Sequence, residues 1–219
     1  MSILIRSIVI SLLLATSIYG LTGEAVRLPD KVELPVPFIC QFPGLVSGMP
    51  WADACEEASI IMATHYARNE PLAGAASYKE IVKMIKYQQT CWGGQDNLSA
   101  KKAADLMSEY FDYHKYKIIY SFGIEDMRRE LAQGNIILAP MAGQLLDNRY
   151  YNLPAPIFHY IVFTGYDDQT GEFITNDCGT KRGEGYRYKY QVAFNAIHDW
   201  NGSEKNIRKE KKAMIVVCK

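Results

Sequence analysis

The chain has 219 residues, 48% hydrophobic and 22% charged, an ordinary globular composition with enough length for one sizeable core, so one domain is the default reading. Its 24 basic and 24 acidic residues cancel, and nothing global recommends nucleic acid or an anionic membrane surface as a partner. The one local basic run, Arg208 to Lys212, is broken by Glu210 and reads as a solvated turn or helix end.

Met1 to Arg6 carries one positive charge, Ser7 to Ala15 is almost uninterruptedly apolar, and Thr16, Ser17 and Gly20 follow. That order and size match a secretory signal peptide over residues 1–20, with cleavage expected between Ser17 and Ala25. A retained membrane anchor is the competing reading. The expected location is therefore secreted, periplasmic or cell-surface, with membrane contact only if the segment is retained. Leu21 to Pro35 contains two prolines without periodicity, so residues 21–34 read as a linker or extended arm, which leaves 35–219 as the domain.

Five cysteines follow, at positions 40, 55, 91, 178 and 218. In an exported protein the odd count suggests one free reactive thiol plus pairs, with three connectivities open to the other four. No C-x-x-C or clustered Cys/His spacing supports a metal site.

Val36 to Gln41 reads as a short strand, followed by a Gly/Pro-containing loop and then a helix from Asp53 to about Arg68. Asp53 is a good N-cap and Glu56 completes a capping-box pattern, so Cys55 falls near the second helical residue. Unpaired N–H groups and the positive end of the helix dipole favour thiolate there. Gln41, a little upstream, has a side-chain N–H suited to a developing oxyanion. The inward face of the helix is expected to carry Ala54, Ala58, Ile61, Met62, His65 and Tyr66, with His65 a core histidine.

Ser77 and Glu80 form a second capping-box signal ahead of Ile81, Met84, Ile85 and Gln88. Ser99 opens a third helix with Ala103, Met107, Tyr110 and Phe111 on one side, and Cys91 to Asn97 between the two is a turn-rich structural loop. Asn97 and Asn201 begin glycosylation sequons of a kind that arises often by chance. After a strand over Tyr116 to Ser121, Glu125 to Gln133 reads as a helix ended by Gly134. The period then changes. Ile136–Ala139, Phe158–Tyr166, Phe173–Asn176, Tyr186–Tyr190 and Met214–Cys218 are strand-like, with a short helix around Val192 to Asp199. Helices first and strands later predict an α+β domain whose antiparallel sheet packs on an early helical layer.

A nucleophilic cysteine needs a base and a group to orient that base. Of four histidines, His65 falls on the helix, while His114 and His198 lie in polar segments near element ends. His159 begins an alternating strand that can aim its imidazole, sharing a face with Ile161 and Phe163. A hairpin would return Asp177, or its neighbour Asn176, beside it as the orienting group. Cys40 and Cys178 adjoin these positions, so a disulfide between them is a further hypothesis.

The segments QFPG…WADACEEAS, HYIVFTGYDD, FITNDCGTKRGEGYRY and AIHDW resemble the cysteine peptidases of family thirty-nine, in the bacteriocin-processing-like branch, from Pro35 onwards. The resemblance implies a papain-like fold, with Cys55 as nucleophile, His159 as general base and acid, Asp177 as the imidazole's orienter and Gln41 as oxyanion donor. Glu56-Glu57 stands where the leader-peptide peptidases commonly have glycine, and Cys178 where proline is usual. Two carboxylates beside the sulfur oppose thiolate formation unless they point to solvent.

The expectation is an exported papain-like cysteine peptidase acting on peptide or protein substrates through a thioester, needing no metal or organic cofactor. Gly143 to Pro156 is a candidate substrate wall. A cell-wall peptide amidase or transpeptidase, and a catalytically inactive peptide-binding domain of the same fold, are the alternatives.

Overall fold

The computed structural model describes residues 27–44 and 48–219. The expected signal segment, residues 1–20, and the start of the linker lie outside them. Among the described residues no helix is long and apolar enough to cross a membrane.

The linker reading of 21–34 gives way at its C-terminal end, where Lys31–Glu33 forms a strand, β1. The expected strand over Val36 to Gln41 does not form: Pro35 and Pro37 have no N–H to give a ladder, and the segment runs extended without strand pairing. A 3-10 turn over Trp51–Asp53 then leads into helix α1, Cys55–Arg68. Its N-cap is Ala54 without a side-chain bond, so the capping box expected from Asp53 and Glu56 is absent and Cys55 is the first helical residue. The carboxylate of Glu56 is occupied elsewhere, as described below.

Helix α1 is buried on nearly every side, from Cys55 through Thr64 and again at Tyr66. Helices α2, Gly74–Cys91, and α3, Ala100–Phe111, cover it on one side and the sheet covers it on the other. Full burial of Ile60, Ile61 and Met62 contributes about 1.5–3 kcal/mol each, which explains why a helix this apolar sits at the centre rather than on the surface. His65 departs from the expected core position. It lies half-exposed near the helix end with Nδ1 3.0 Å from the Pro71 carbonyl.

Helix α2 begins three residues before Ser77, whose hydroxyl donates back to the Ala73 carbonyl at 2.9 Å instead of capping. Helix α3 starts as expected, with Ser99 Oγ accepting from the Lys102 N–H.

Strand β2 (Tyr116–Ile119), helix α4 (Ile124–Ala132), and strands β3 (Ile136–Ala142), β4 (Phe158–Asp167), β5 (Glu172–Asn176) and β6 (Tyr186–Lys189) follow. Helix α5 (Tyr190–Ala196) and strand β7 (Met214–Val217) complete the domain. All pairings are antiparallel, in the order β2-β7-β3-β4-β5-β6. Strand β4 outruns β3, whose pairing with it stops at Phe163, and β1 pairs with the remaining Gly165–Asp167. A Cβ at Gly165 would stand 2.0 Å from the Val32 carbonyl oxygen, so only glycine lets β1 approach there.

Phe158, Tyr160 and Val162 of β4 pack with α1, α2 and α3, while Ile161 and Phe163 pack with Met127 and Leu131 of α4 and Ala193 and Ala196 of α5. The early helical layer is therefore matched by a second, thinner one on the opposite face. The result is an α+β, papain-like domain whose central helix and central strand both point toward one cleft.

Candidate active site

Three segments meet at the cleft. Cys55 comes from the first turn of α1, His159 from the second residue of β4, and Gln41 from the extended segment before the 3-10 turn. All three line one cavity of about 180 Å³, together with Tyr151, Pro156 and Gly179.

The strand register brings Asp177 to His159. Val162 pairs with Asn176, so a continuation of that ladder puts Asp177 opposite Ile161, on the face His159 shares. His159 Nε2 is 2.8 Å from Asp177 Oδ1, both side chains buried. The Asn176 amide is engaged elsewhere, its Nδ2 donating to the Val36 and Pro37 carbonyls. With Nε2 committed to Asp177, Nδ1 is the ring nitrogen left for the thiol.

Asp177 is itself held from several sides, by groups that sequence reasoning missed. Tyr151 and Tyr188 hydroxyls each donate to Oδ2 at 2.6 Å, Asn148 Nδ2 donates to it at 3.0 Å, and the Gly179 N–H donates to Oδ1 at 3.0 Å. Burial pushes this carboxyl up, but the His159 imidazole and these hydrogen bonds outweigh it and hold it below the usual aspartate range. The Tyr151 ring also meets the imidazole edge to face, with centroids 5.6 Å apart. A Cβ at Gly179 would come within 3.0 Å of His159 Cε1, so the absence of a side chain there makes room for the ring.

The sulfur's surroundings are acidic and buried. Glu56 and Glu57 do not point to solvent; they are 2% and 1% exposed. Glu56 Oε2 accepts from the Cys55 thiol at 2.9 Å, and Oε1 accepts from the Leu98 N–H at 2.9 Å, which ties the loop after α2 to Cys55. Glu57 Oε1 accepts from Gln88 and Gln95. Burial, then the charges of Glu56, Cys178 and Glu57, push the Cys55 thiol well above its ordinary pKa. The helix end favours thiolate, but burial and the adjacent carboxyls act the other way and favour the protonated thiol. Burial also raises Glu56, and burial with the neighbouring Glu56 pushes Glu57 up to about 8.

Gln41 lines the same cavity as Cys55, but its amide is engaged. Nε2 donates to the Trp51 carbonyl at 2.8 Å and the Ala52 carbonyl at 3.1 Å, because the 3-10 turn aims both oxygens at it. Its Oε1 accepts from the Cys178 thiol at 3.5 Å, and its backbone N–H donates to the Cys178 carbonyl at 2.9 Å. The Cys55 N–H, first in its helix, has no intrahelical acceptor and is a second donor beside the sulfur.

The hypothesised Cys40–Cys178 bridge is not formed; all five cysteines are thiols. Cys178 is fully buried, its sulfur contacting Ser59 Oγ and the Cys55 and Tyr160 carbonyls, so it acts as a small packed hydrogen-bonding group where the segments converge. Among the described residues no cluster of His, Cys, Asp and Glu is arranged to hold a metal ion. From the expected substrate wall, Tyr151, Asn152, Pro154 and Pro156 line the cleft.

Comparison with known proteins agrees with this architecture. A model of the peptidase C39-like family matches residues 33–207. A Bacillus anthracis protein described as a C39-like peptidase has a similar structure, with a TM-score of 0.57 at 16% identity, covering 87% of this chain and 99% of that one. Xylellain, a cysteine protease from Xylella fastidiosa, aligns with a TM-score of 0.46 at 13% identity, over 88% of this chain and 87% of its own. No curated protein matches the chain at a significant level.

Proposed function

The chain belongs to the peptidase C39-like family and is a cysteine peptidase, and from that premise we propose that it hydrolyses peptide bonds outside the cytoplasm through Cys55, His159 and Asp177. The observation that carries the assignment is the shared cleft of Cys55 and His159, with the imidazole's far nitrogen 2.8 Å from Asp177. Export is supported by the charged and apolar pattern of residues 1–20.

The resting thiol proton lies on the Glu56 side. For reaction it passes to His159 Nδ1, and Asp177 stabilises the imidazolium through Nε2. The sulfur attacks the scissile carbonyl carbon, and the oxyanion accepts hydrogen bonds from the Cys55 N–H and from Gln41 Nε2, which gives up one of its two carbonyl partners. Collapse breaks the C–N bond, the imidazolium protonates the departing amine, and a thioester remains. Water, deprotonated by the same imidazole, attacks the thioester and releases the acid and the thiol.

Tyr151, Tyr188 and Asn148 are positioning residues. Their polar groups keep Asp177 ionised and aimed, acting on the reaction through it.

The test is hydrolysis of a fluorogenic casein by the purified protein under reducing conditions. The proposal predicts turnover by wild type and none by Cys55→Ala or His159→Ala. Equal turnover by wild type and Cys55→Ala would overturn it.

A further inference from the structure

Beyond the cleft lies a hollow of about 550 Å³ that shares Phe42, Tyr151, Asn152 and Gly179 with it. Its remaining wall carries Arg149 from the loop after β3 and Lys181 and Arg182 from the turn after Asp177, and among the described residues no carboxylate lines it. We infer that this hollow is a carboxylate-binding extension of the cleft, so that preferred peptides bring either an acidic side chain or a free C-terminus to Arg149, Lys181 and Arg182. The inference rests on the peptidase reading above and adds to it a substrate class.

Charge pairing separates these cations from the others near the sheet. Arg128 pairs with Glu125 and Asp168, and Arg187 with Asp167 and Glu172. Arg149, Lys181 and Arg182 have no ion-pair partner among the described residues, although Glu184 lines an adjoining hollow with both arginines.

Two of the three are also held in place. The guanidinium carbons of Arg149 and Arg182 lie 4.8 and 4.9 Å from the Tyr150 ring centroid, and Arg149 Nη2 donates to the Tyr150 hydroxyl at 2.7 Å. Part of the rotamer entropy of binding is thereby lost before a ligand arrives. The hydrogen bond from Arg149, against opposing desolvation and with help from Arg182, leaves the Tyr150 phenol below its ordinary pKa. A planar guanidinium suits bidentate recognition of a carboxylate, and three cations in a concave wall reinforce one another.

Binding is tested with the full chain carrying Cys55→Ala, so that turnover does not interfere. Three fluorescein-labelled peptides are compared: an end-blocked alternating Ala/Glu peptide, its end-blocked Ala/Gln counterpart, and the Ala/Gln peptide with a free C-terminus. At about 50 mM salt the carboxylate-bearing peptides should bind about tenfold tighter than the blocked Ala/Gln peptide, an advantage that shrinks at high salt. An advantage confined to the Ala/Glu peptide assigns the hollow to side chains; one confined to the free terminus assigns it to the chain end.

The same preference should fall to about unity in Arg149→Gln/Lys181→Gln/Arg182→Gln. All three positions are exposed, so the folded domain tolerates the change. Equal affinity for all three peptides, or a preference that survives the triple substitution, overturns the inference. Cys55-dependent cleavage with no carboxylate preference would remove the hollow's role alone, whereas carboxylate-dependent binding with no cleavage by wild type would remove the peptidase reading alone.

Discussion

Asp177 Oδ1 meets His159 Nε2 at 2.8 Å with both side chains buried, which leaves Nδ1 as the ring nitrogen not engaged with the carboxylate. The strand pair β4/β5 sets this orientation and the hydroxyls of Tyr151 and Tyr188 secure it.

Asp177→Asn tests that relationship. An amide keeps the shape but offers an N–H2 toward a site where every neighbour donates, so it loses charge stabilisation of the imidazolium and favours the wrong tautomer. kcat should fall by about 10²-fold or more, with KM changed far less. Steady-state kinetics on a peptide substrate measure both.

The Cys55 thiol should be slow to alkylate near neutral pH, because burial and the adjacent carboxyls hold its proton. Glu56→Gln removes the nearest negative charge yet keeps an amide oxygen for the Leu98 N–H, so the thiol pKa should drop and iodoacetamide should react faster at pH 7. The rate profile against pH, read at the Cys55 peptide by mass spectrometry, gives the direction.

Glu57 predicts a stability that declines as pH rises. Its carboxyl titrates near 4.5 in the unfolded chain and is pushed up to about 8 in the fold, so between those values the folded state holds more protons. Stability is then lost on raising pH through that window, by on the order of a few kcal/mol, and levels off above it. Thermal melts from pH 5 to pH 8 should show a falling Tm, and Glu57→Gln should flatten the fall.

Tyr188→Phe should act in the opposite pH range. It removes a donor to Asp177 Oδ2 and leaves Asn148 Nδ2 with one partner fewer, at a cost of about 1–3 kcal/mol. Asp177 is held below its unfolded value, so its stabilisation is present above that value and lost as pH falls through the folded one. A weaker hold raises the folded value, and the acid limb of the melting curve should move to higher pH.

Much of this arrangement was legible in the order of the residues. Alternation in FHYIVFTGYD identified β4 and the face of His159, and the expected hairpin brought the end of β5 back toward it. Cys55 was legible as a helix-start cysteine, although the cap assigned to Asp53 and Glu56 was wrong, because the Glu56 side chain is taken by the Leu98 N–H and the thiol. The burial of Glu56 and Glu57 was not legible: an adjacent acidic pair reads as solvated until α2, α3 and the loop at Gln95 close over it. Tyr151, Tyr188 and Asn148 lacked any local signal, since Asn148 and Tyr151 reach Asp177 from the loop between β3 and β4 and Tyr188 reaches it from β6. The short contact between β1 and Gly165 was equally hidden, as a long-range pairing leaves no period in a three-residue strand.

The most direct measurement of the central claim is an acid-quench experiment on turning-over enzyme, followed by mass spectrometry of the digested protein. The account predicts an acyl adduct on the peptide containing Cys55, with Cys40, Cys91, Cys178 and Cys218 unmodified, and its loss in His159→Ala. Steady turnover with no adduct on Cys55 at any time, or an adduct on another cysteine that tracks the rate, would contradict it.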